Sequence, residues 1–103
     1  MPAYIVSLCE FTNRTPELKV YAQKSAELAH RYGGKYIVRS QPVEIMEGEK
    51  LAGKSMVILE FPTLEQLQAY VKGDEYQKTV KPLRKGTGIY DIGLYEAPPP
   101  HMQ

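Results

Sequence analysis

A chain of 103 residues with 13 Lys and Arg against 12 Asp and Glu has a formal charge of +1. The length suits one domain, taken here as 3–96, with a modest core, and the near-neutral charge excludes nucleic-acid binding by bulk electrostatics. One cysteine, Cys9, leaves no intrachain disulfide and no cysteine metal cluster. No apolar run approaches the roughly 20 residues of a membrane span and no leader pattern follows Met1-Pro2-Ala3, so a cytoplasmic location without membrane partners is expected.

Residues 3–11, AYIVSLCEF, are rich in β-formers and read as a first strand. Thr15 then offers an N-cap, Pro16 fits the first helical position, and Glu17 sits near the positive end of the helix dipole. Leu18, Tyr21, Ala22, Ser25, Leu28, Ala29 and Tyr32 recur at helical spacing until Gly33-Gly34 stops the helix. A second strand runs over 35–40, KYIVRS. Pro42 lacks an amide proton, so a bulge or bend is expected at Gln41-Pro42 on an edge strand, with extended chain resuming over 43–46.

Residues 48–55, GEKLAGKS, match the phosphate-loop pattern G-x-x-x-x-G-K-[ST]. Such a loop must open a helix whose N-terminus meets the phosphates. Here it opens onto SMVILEF, a strand ended by Pro62, so the glycines make a turn and no nucleotide site. Thr63 and Gln66 form a capping box for a second helix, with Leu64, Leu67, Tyr70 and Val71 on one side. Gly73 breaks that helix, and Asp74 with Gln77 repeats the capping pattern for a short third one. It turns Tyr76, Val80 and Leu83 inward and is shortened by Pro82. GIYDIGLYE, 88–96, is the last strand, and 97–103, APPPHMQ, an extended Pro-rich tail.

The order βαββαβ predicts an α+β, ferredoxin-like fold with a four-stranded antiparallel sheet. In strand 55–61, Met56 and Ile58 face one way and Val57, Leu59 and Phe61 the other. Val6 and Leu8 likewise oppose Ile5, Cys9 and Phe11. Both faces are apolar, yet this connectivity lays both helices on one of them. A homodimer packed sheet to sheet would bury the other.

Taken in order, the segments HRYGGKYIVR, VEIMEGE, VILEFPTLEQLQAY and DEYQKTVKPLR resemble the signature stretches of domain-of-unknown-function family 1330. The likeness spans about residues 3–96. It implies a dimeric α+β barrel, a group that includes cofactor-free monooxygenases, haem-degrading enzymes, muconolactone isomerases and noncatalytic proteins. It implies no settled activity.

Several side chains are candidates for a site. Topology places His30, Tyr4, Tyr36 and Glu60 toward one end of the domain, where a histidine near a carboxylate would act as general base. The alternative is a helix-end His favoured by the dipole beside a Glu capping a turn. Arg39 and Glu44 flank the Pro42 bend. Arg39 would fork onto a carboxylate, or else carry an ordinary edge charge. Asp91 and Gly93 interrupt the last strand on the face of Ile89 and Tyr95, where a missing side chain would open a cavity, unless Asp91 only protects the edge. Tyr76 would reach into a cleft from the third helix, or lie in the core with its hydroxyl at the rim. Lys78, Lys81, Arg84 and Lys85 read as a solvated basic face, or else as an anion-binding surface, and Cys9 as a buried strand residue. The expected function is small-molecule binding between sheet and helices, for an acidic or aromatic ligand, with cofactor-independent catalysis as its enzymatic form. No cofactor motif is found; haem would need His30 to face an open apolar slot. The rival is a noncatalytic dimeric binding or regulatory module.

Overall fold

The computed structural model describes residues 1–97; most of the tail expected over 97–103 lies outside the described residues. Chain order is β1 (Ala3–Phe11), α1 (Pro16–Arg31), β2 (Lys35–Ser40), β3 (Ser55–Phe61), α2 (Leu64–Lys72) and β4 (Gly88–Glu96). Between α2 and β4 stand a π-helical turn, Glu75–Val80, and a 3-10 turn, Lys81–Arg84. The strands form an antiparallel sheet in the order β2-β3-β1-β4. This is the α+β, ferredoxin-like arrangement that the element order implies.

Local chemistry sets the helix ends. Thr15 accepts from the Leu18 amide at 3.2 Å, and Thr63 from the Gln66 amide at 3.1 Å, each satisfying an orphan donor of the first turn. At the C-terminus of α1, Gly33 adopts φ +87° and the Gly34 amide donates to the Ala29 carbonyl at 2.8 Å. A Cβ on Gly34 would come within 2.6 Å of the Phe61 ring, so the glycine also lets the helix end close down on β3.

Three local expectations need correction. The bulge is not at Pro42: the β2–β3 register shifts between Tyr36 and Val38. That shift turns both Tyr36 and Arg39 toward the helices. Residues 43–46 form no strand; the chain from Gln41 to Gly53 stands off the sheet, with Val43 and Met46 almost wholly exposed. The third helix is not capped by Asp74, whose side chain makes no cap hydrogen bond. Instead the Gln77 side-chain amide donates back to the Val71 carbonyl at 2.7 Å. With Pro82 allowed only near the start of a helix, the segment divides into a wide turn and a tight one. Tyr76 and Val80 still point inward, and Leu83 is half-buried.

The core lies at one end of the helix-facing side. Ala3 and Ile5 of β1 and Leu59 and Phe61 of β3 pack under Leu28, Leu67 and Tyr70, all at most 6% exposed. Phe61 and Tyr76 flank the Tyr70 ring, with centroids 5.4 and 5.1 Å from it. On the opposite face Val6, Leu8, Met56 and Ile58 are only half-buried, and Val38, Ile89 and Tyr95 are exposed. Among the described residues no helix is long and apolar enough to cross a membrane.

Candidate ligand cleft

Past the core, the same strands diverge from the helix layer. A half-open cleft of about 870 Å³ lies between the sheet and α1, closed on its far side by the two short turns. Its floor is Ser7, Cys9 and Phe11 of β1 with Ser55 and Val57 of β3. Ser7, Cys9 and Ser55 are short, which leaves volume open above them. Five of the eight tyrosines line it: Tyr21, Tyr36, Tyr70, Tyr76 and Tyr90. Such rings give apolar walls with polar tips.

The charged residues of the lining have one sign. Arg14, Lys19, Arg39, Lys81 and Arg84 contribute, and no Asp or Glu does. Arg14 stacks over Phe11 and Arg39 over Tyr36, both at 4.6 Å and both on exposed residues. Arg84 is held more deeply. Its guanidinium lies 4.4 Å from the Tyr90 centroid and 5.8 Å from that of Tyr21, and its Nε is shut from solvent with no hydrogen-bond partner among the described residues.

The hydroxyls around Arg84 can be followed proton by proton. Thr87, fully buried, donates to the Arg84 carbonyl at 2.5 Å. Its single proton being spent, it accepts from the Tyr90 phenol. Tyr21 and Tyr76 share one hydrogen bond of 2.9 Å, so one of the two phenol protons is left over. Burial, then the neighbouring Tyr76, push the Tyr21 phenol far above its ordinary range. Burial, then Tyr76 and Tyr36, do the same for Tyr70, which donates to the Ser25 carbonyl at 3.3 Å. Both stay neutral donors at physiological pH. Burial also raises the Cys9 thiol, against the opposing pull of Arg84.

The candidates taken from sequence divide among four places. Tyr36, Arg39 and Tyr76 meet in the cleft. Tyr4 and Glu60 are directly paired across β1 and β3 on the opposite sheet face, where Glu60 also meets Lys35 at 3.4 Å. Partial desolvation, then the Glu60 carboxylate, raise the Tyr4 phenol. Asp91 and Gly93 lie on that same face, opposite Leu8 and Val6. A Cβ on Gly93 would meet the Tyr95 ring at 3.0 Å, so the ring fills the gap expected to be a cavity. Glu44 is on the exposed 41–53 segment. His30 borders a shallow groove with Glu65 and Gln66 at the helix ends, and no hydrogen bond or ion pair among the described residues joins it to Glu60. Register puts Tyr4, Tyr36 and Glu60 at one end of the sheet, with Tyr36 on the face away from the other two.

Sequence reasoning left Arg84 within a basic cluster and did not single it out. Set among Lys78, Lys81 and Lys85 it reads as one more surface cation, because the departure from α-helical phase after Val80 cannot be seen in the letters. The surplus of tyrosine was the available signal.

The model of the family described as a domain of unknown function, DUF1330, matches residues 2–97. The chain belongs to this family. No curated protein matches it at a significant level. Among solved structures, this DUF1330 chain is similar to RPA0582, a protein of unknown function from Rhodopseudomonas palustris, with a TM-score of 0.72 at 16% identity over 96% of this chain and 84% of that one. Methylated RPA0582 gives 0.70 at 17% over 96% and 82%. A mutant of SnoaB from Streptomyces nogalater, a cofactor-independent oxygenase, gives 0.64 at 12% over 93% and 92%. At these identities the likeness is one of fold: the DUF1330 chain shares an α+β barrel-like architecture with all three.

Proposed function

We propose that this DUF1330 protein acts in the cytoplasm as a homodimer that binds a small organic acid, aromatic or otherwise apolar in its body, in the cleft between sheet and helices. The observation that carries this reading is the lining itself. Apolar and phenolic walls border about 870 Å³, within the range of ligand sites, with five cations and no Asp or Glu around it among the described residues. Such a lining favours an anion with a greasy body over a neutral or cationic molecule.

The lining favours binding over proton abstraction. Among the described residues no His, Asp or Glu lines the cleft. The Cys9 thiol and the Tyr21 and Tyr70 phenols are all pushed upward by burial, away from the range of a base at neutral pH. SnoaB is described as a cofactor-independent oxygenase, and catalysis of that kind is the second reading here. It would use a substrate acidic enough to arrive as its anion.

The dimer is supported by the uncovered face. Val6, Leu8, Met56, Ile58 and Ile89 make a contiguous apolar surface that a monomer would leave in water. A second copy, related by a two-fold axis, presents the same surface to it. Sedimentation at micromolar concentration tests this: a dimer is expected, and Ile58→Asp should give monomers. A wild-type monomer would remove the dimer. For the site, thermal shift across a panel of organic acids should yield a stabilising ligand whose effect disappears in Val57→Trp, which fills the floor. A stabilising ligand indifferent to that change would move the site elsewhere.

A further inference from the structure

The cleft is lined by an arginine, Arg84, whose charge no carboxylate among the described residues neutralises. Nε of Arg84 is cut off from water and has no acceptor among the described residues. An unpaired buried donor is costly; a ligand does not reach that atom, but its enclosure fixes the base of a guanidinium that lines the cleft. The surroundings hold the guanidinium in place without neutralising it. Tyr90 supplies a stacking surface at 4.4 Å. Tyr90 is pinned through its hydroxyl to Thr87, and Thr87 is pinned to the carbonyl of Arg84 itself. The amides of Thr12 and Asn13 both donate to the Thr87 carbonyl, at 2.9 and 3.0 Å, tying the turn to the end of β1. Arg84 is in none of the ion pairs of the described residues.

Resting on the reading of the cleft as a ligand site, we propose that Arg84 is its specificity-determining anchor, binding the carboxylate of an aromatic acid whose ring lies along the cleft floor. A planar fork of N–H donors fits a carboxylate in two parallel bonds and discriminates against neutral isosteres. Tyr21, whose ring centroid is 5.8 Å from the guanidinium, shares one hydrogen bond with Tyr76, which leaves that pair a spare phenol proton. It supplies a neutral donor for a second oxygen on the ligand, such as an ortho hydroxyl or keto group. Arg39 is the less suited anchor. It is exposed, so water already satisfies it, and its stacking on Tyr36 leaves no donor enclosed.

A matched pair of fluorescent probes tests the assignment: 9-anthroate and 9-anthracenecarboxamide, alike in shape and different in charge. Their affinities are measured by fluorescence titration on the wild-type protein, Arg84→Gln, Arg84→Lys, Arg39→Gln and Val57→Trp. Wild type should favour the acid by about tenfold or more, the usual scale for a charge-assisted pair out of water. Arg84→Gln should reduce that preference to near unity while the amide binds as before, which also shows that the variant is folded. Arg84→Lys should retain part of the preference. An acid preference unchanged in Arg84→Gln, absent in wild type, or lost in Arg39→Gln instead would overturn the assignment while leaving the cleft reading intact. Binding of both probes that survives Val57→Trp, or no binding of either, would overturn the cleft reading and the anchor with it.

Discussion

β1 and β3 build two different things from one continuous surface. At one end Ala3, Ile5, Leu59 and Phe61 are closed under the helices; at the other Ser7, Cys9, Ser55 and Val57 floor an open cleft. The backbone is the same antiparallel ladder throughout, with Ile5 opposite Leu59 and Ser7 opposite Val57. What changes is the size of the side chains and what lies above them. Large residues meet Leu28, Leu67 and Tyr70 at the closed end, while small ones face tyrosine rings at the open end. A ligand site here is the part of the core that the chain leaves unfilled.

Single changes can break or sharpen that contrast. The largest effect belongs to the closed end. Phe61→Ala removes a fully buried ring and should cost about 3–5 kcal/mol in denaturant unfolding. Val57→Ala, four residues earlier on the same strand face, should cost under about 1.5 kcal/mol, since its side chain already borders space. Equal losses would mean that the two ends are packed alike.

Next comes the turn that supports the cleft wall. Thr87→Val keeps the shape but leaves the Arg84 carbonyl and the Tyr90 phenol without their shared partner. A loss of about 1–3 kcal/mol is expected, with weaker binding of any ligand that uses Arg84. Unchanged stability would mean that the wall is not rigid.

The boundary between the ends can be read through pH. Tyr21 and Tyr70 have phenols raised above the ordinary 10.0 by burial, then by Tyr76. Their contribution is therefore fully present below pH 10 and lost as the pH rises above it, because the unfolded chain deprotonates there and the folded one resists. The slope is about 1.4 kcal/mol per pH unit for each buried phenol. Tyr21→Phe should make alkaline unfolding visibly shallower. A slope that does not change would show that the Tyr21 hydroxyl is solvated.

The smallest effect is local to the closed end. Thr63→Ala removes the cap that receives the Gln66 amide and should cost about 1 kcal/mol, with ligand binding in the distant cleft untouched. A change in binding would mean that the two ends are mechanically coupled.

The element order, the caps of α1 and α2, the glycine stop of α1 and the two apolar faces of the sheet were all legible from the letters. Each rests on contacts within a few residues, such as Thr15 to Leu18 or Thr63 to Gln66, or on the period-two alternation of a strand. Likewise the phosphate-loop string 48–55 could be set aside because the strand after it is plain. The candidate site was only partly legible. Tyr36, Arg39 and Tyr76 do come together, but the one-residue register shift in β2 that aims Tyr36 and Arg39 at the same face left no trace in the sequence. Nor did it show which face of the sheet Glu60 and Tyr4 would share, away from the cleft.

What the sequence determined by itself was the set of elements and the chemistry available to them: many phenols, balanced charge, one thiol. Only the tertiary structure decided which cations meet which rings, and that the Nε of Arg84 is enclosed while Arg39 stays in water. The reason is range. Caps and strand alternation are fixed by neighbours in the chain, whereas enclosure depends on residues such as Tyr21 and Tyr90 arriving from other elements to flank one side chain.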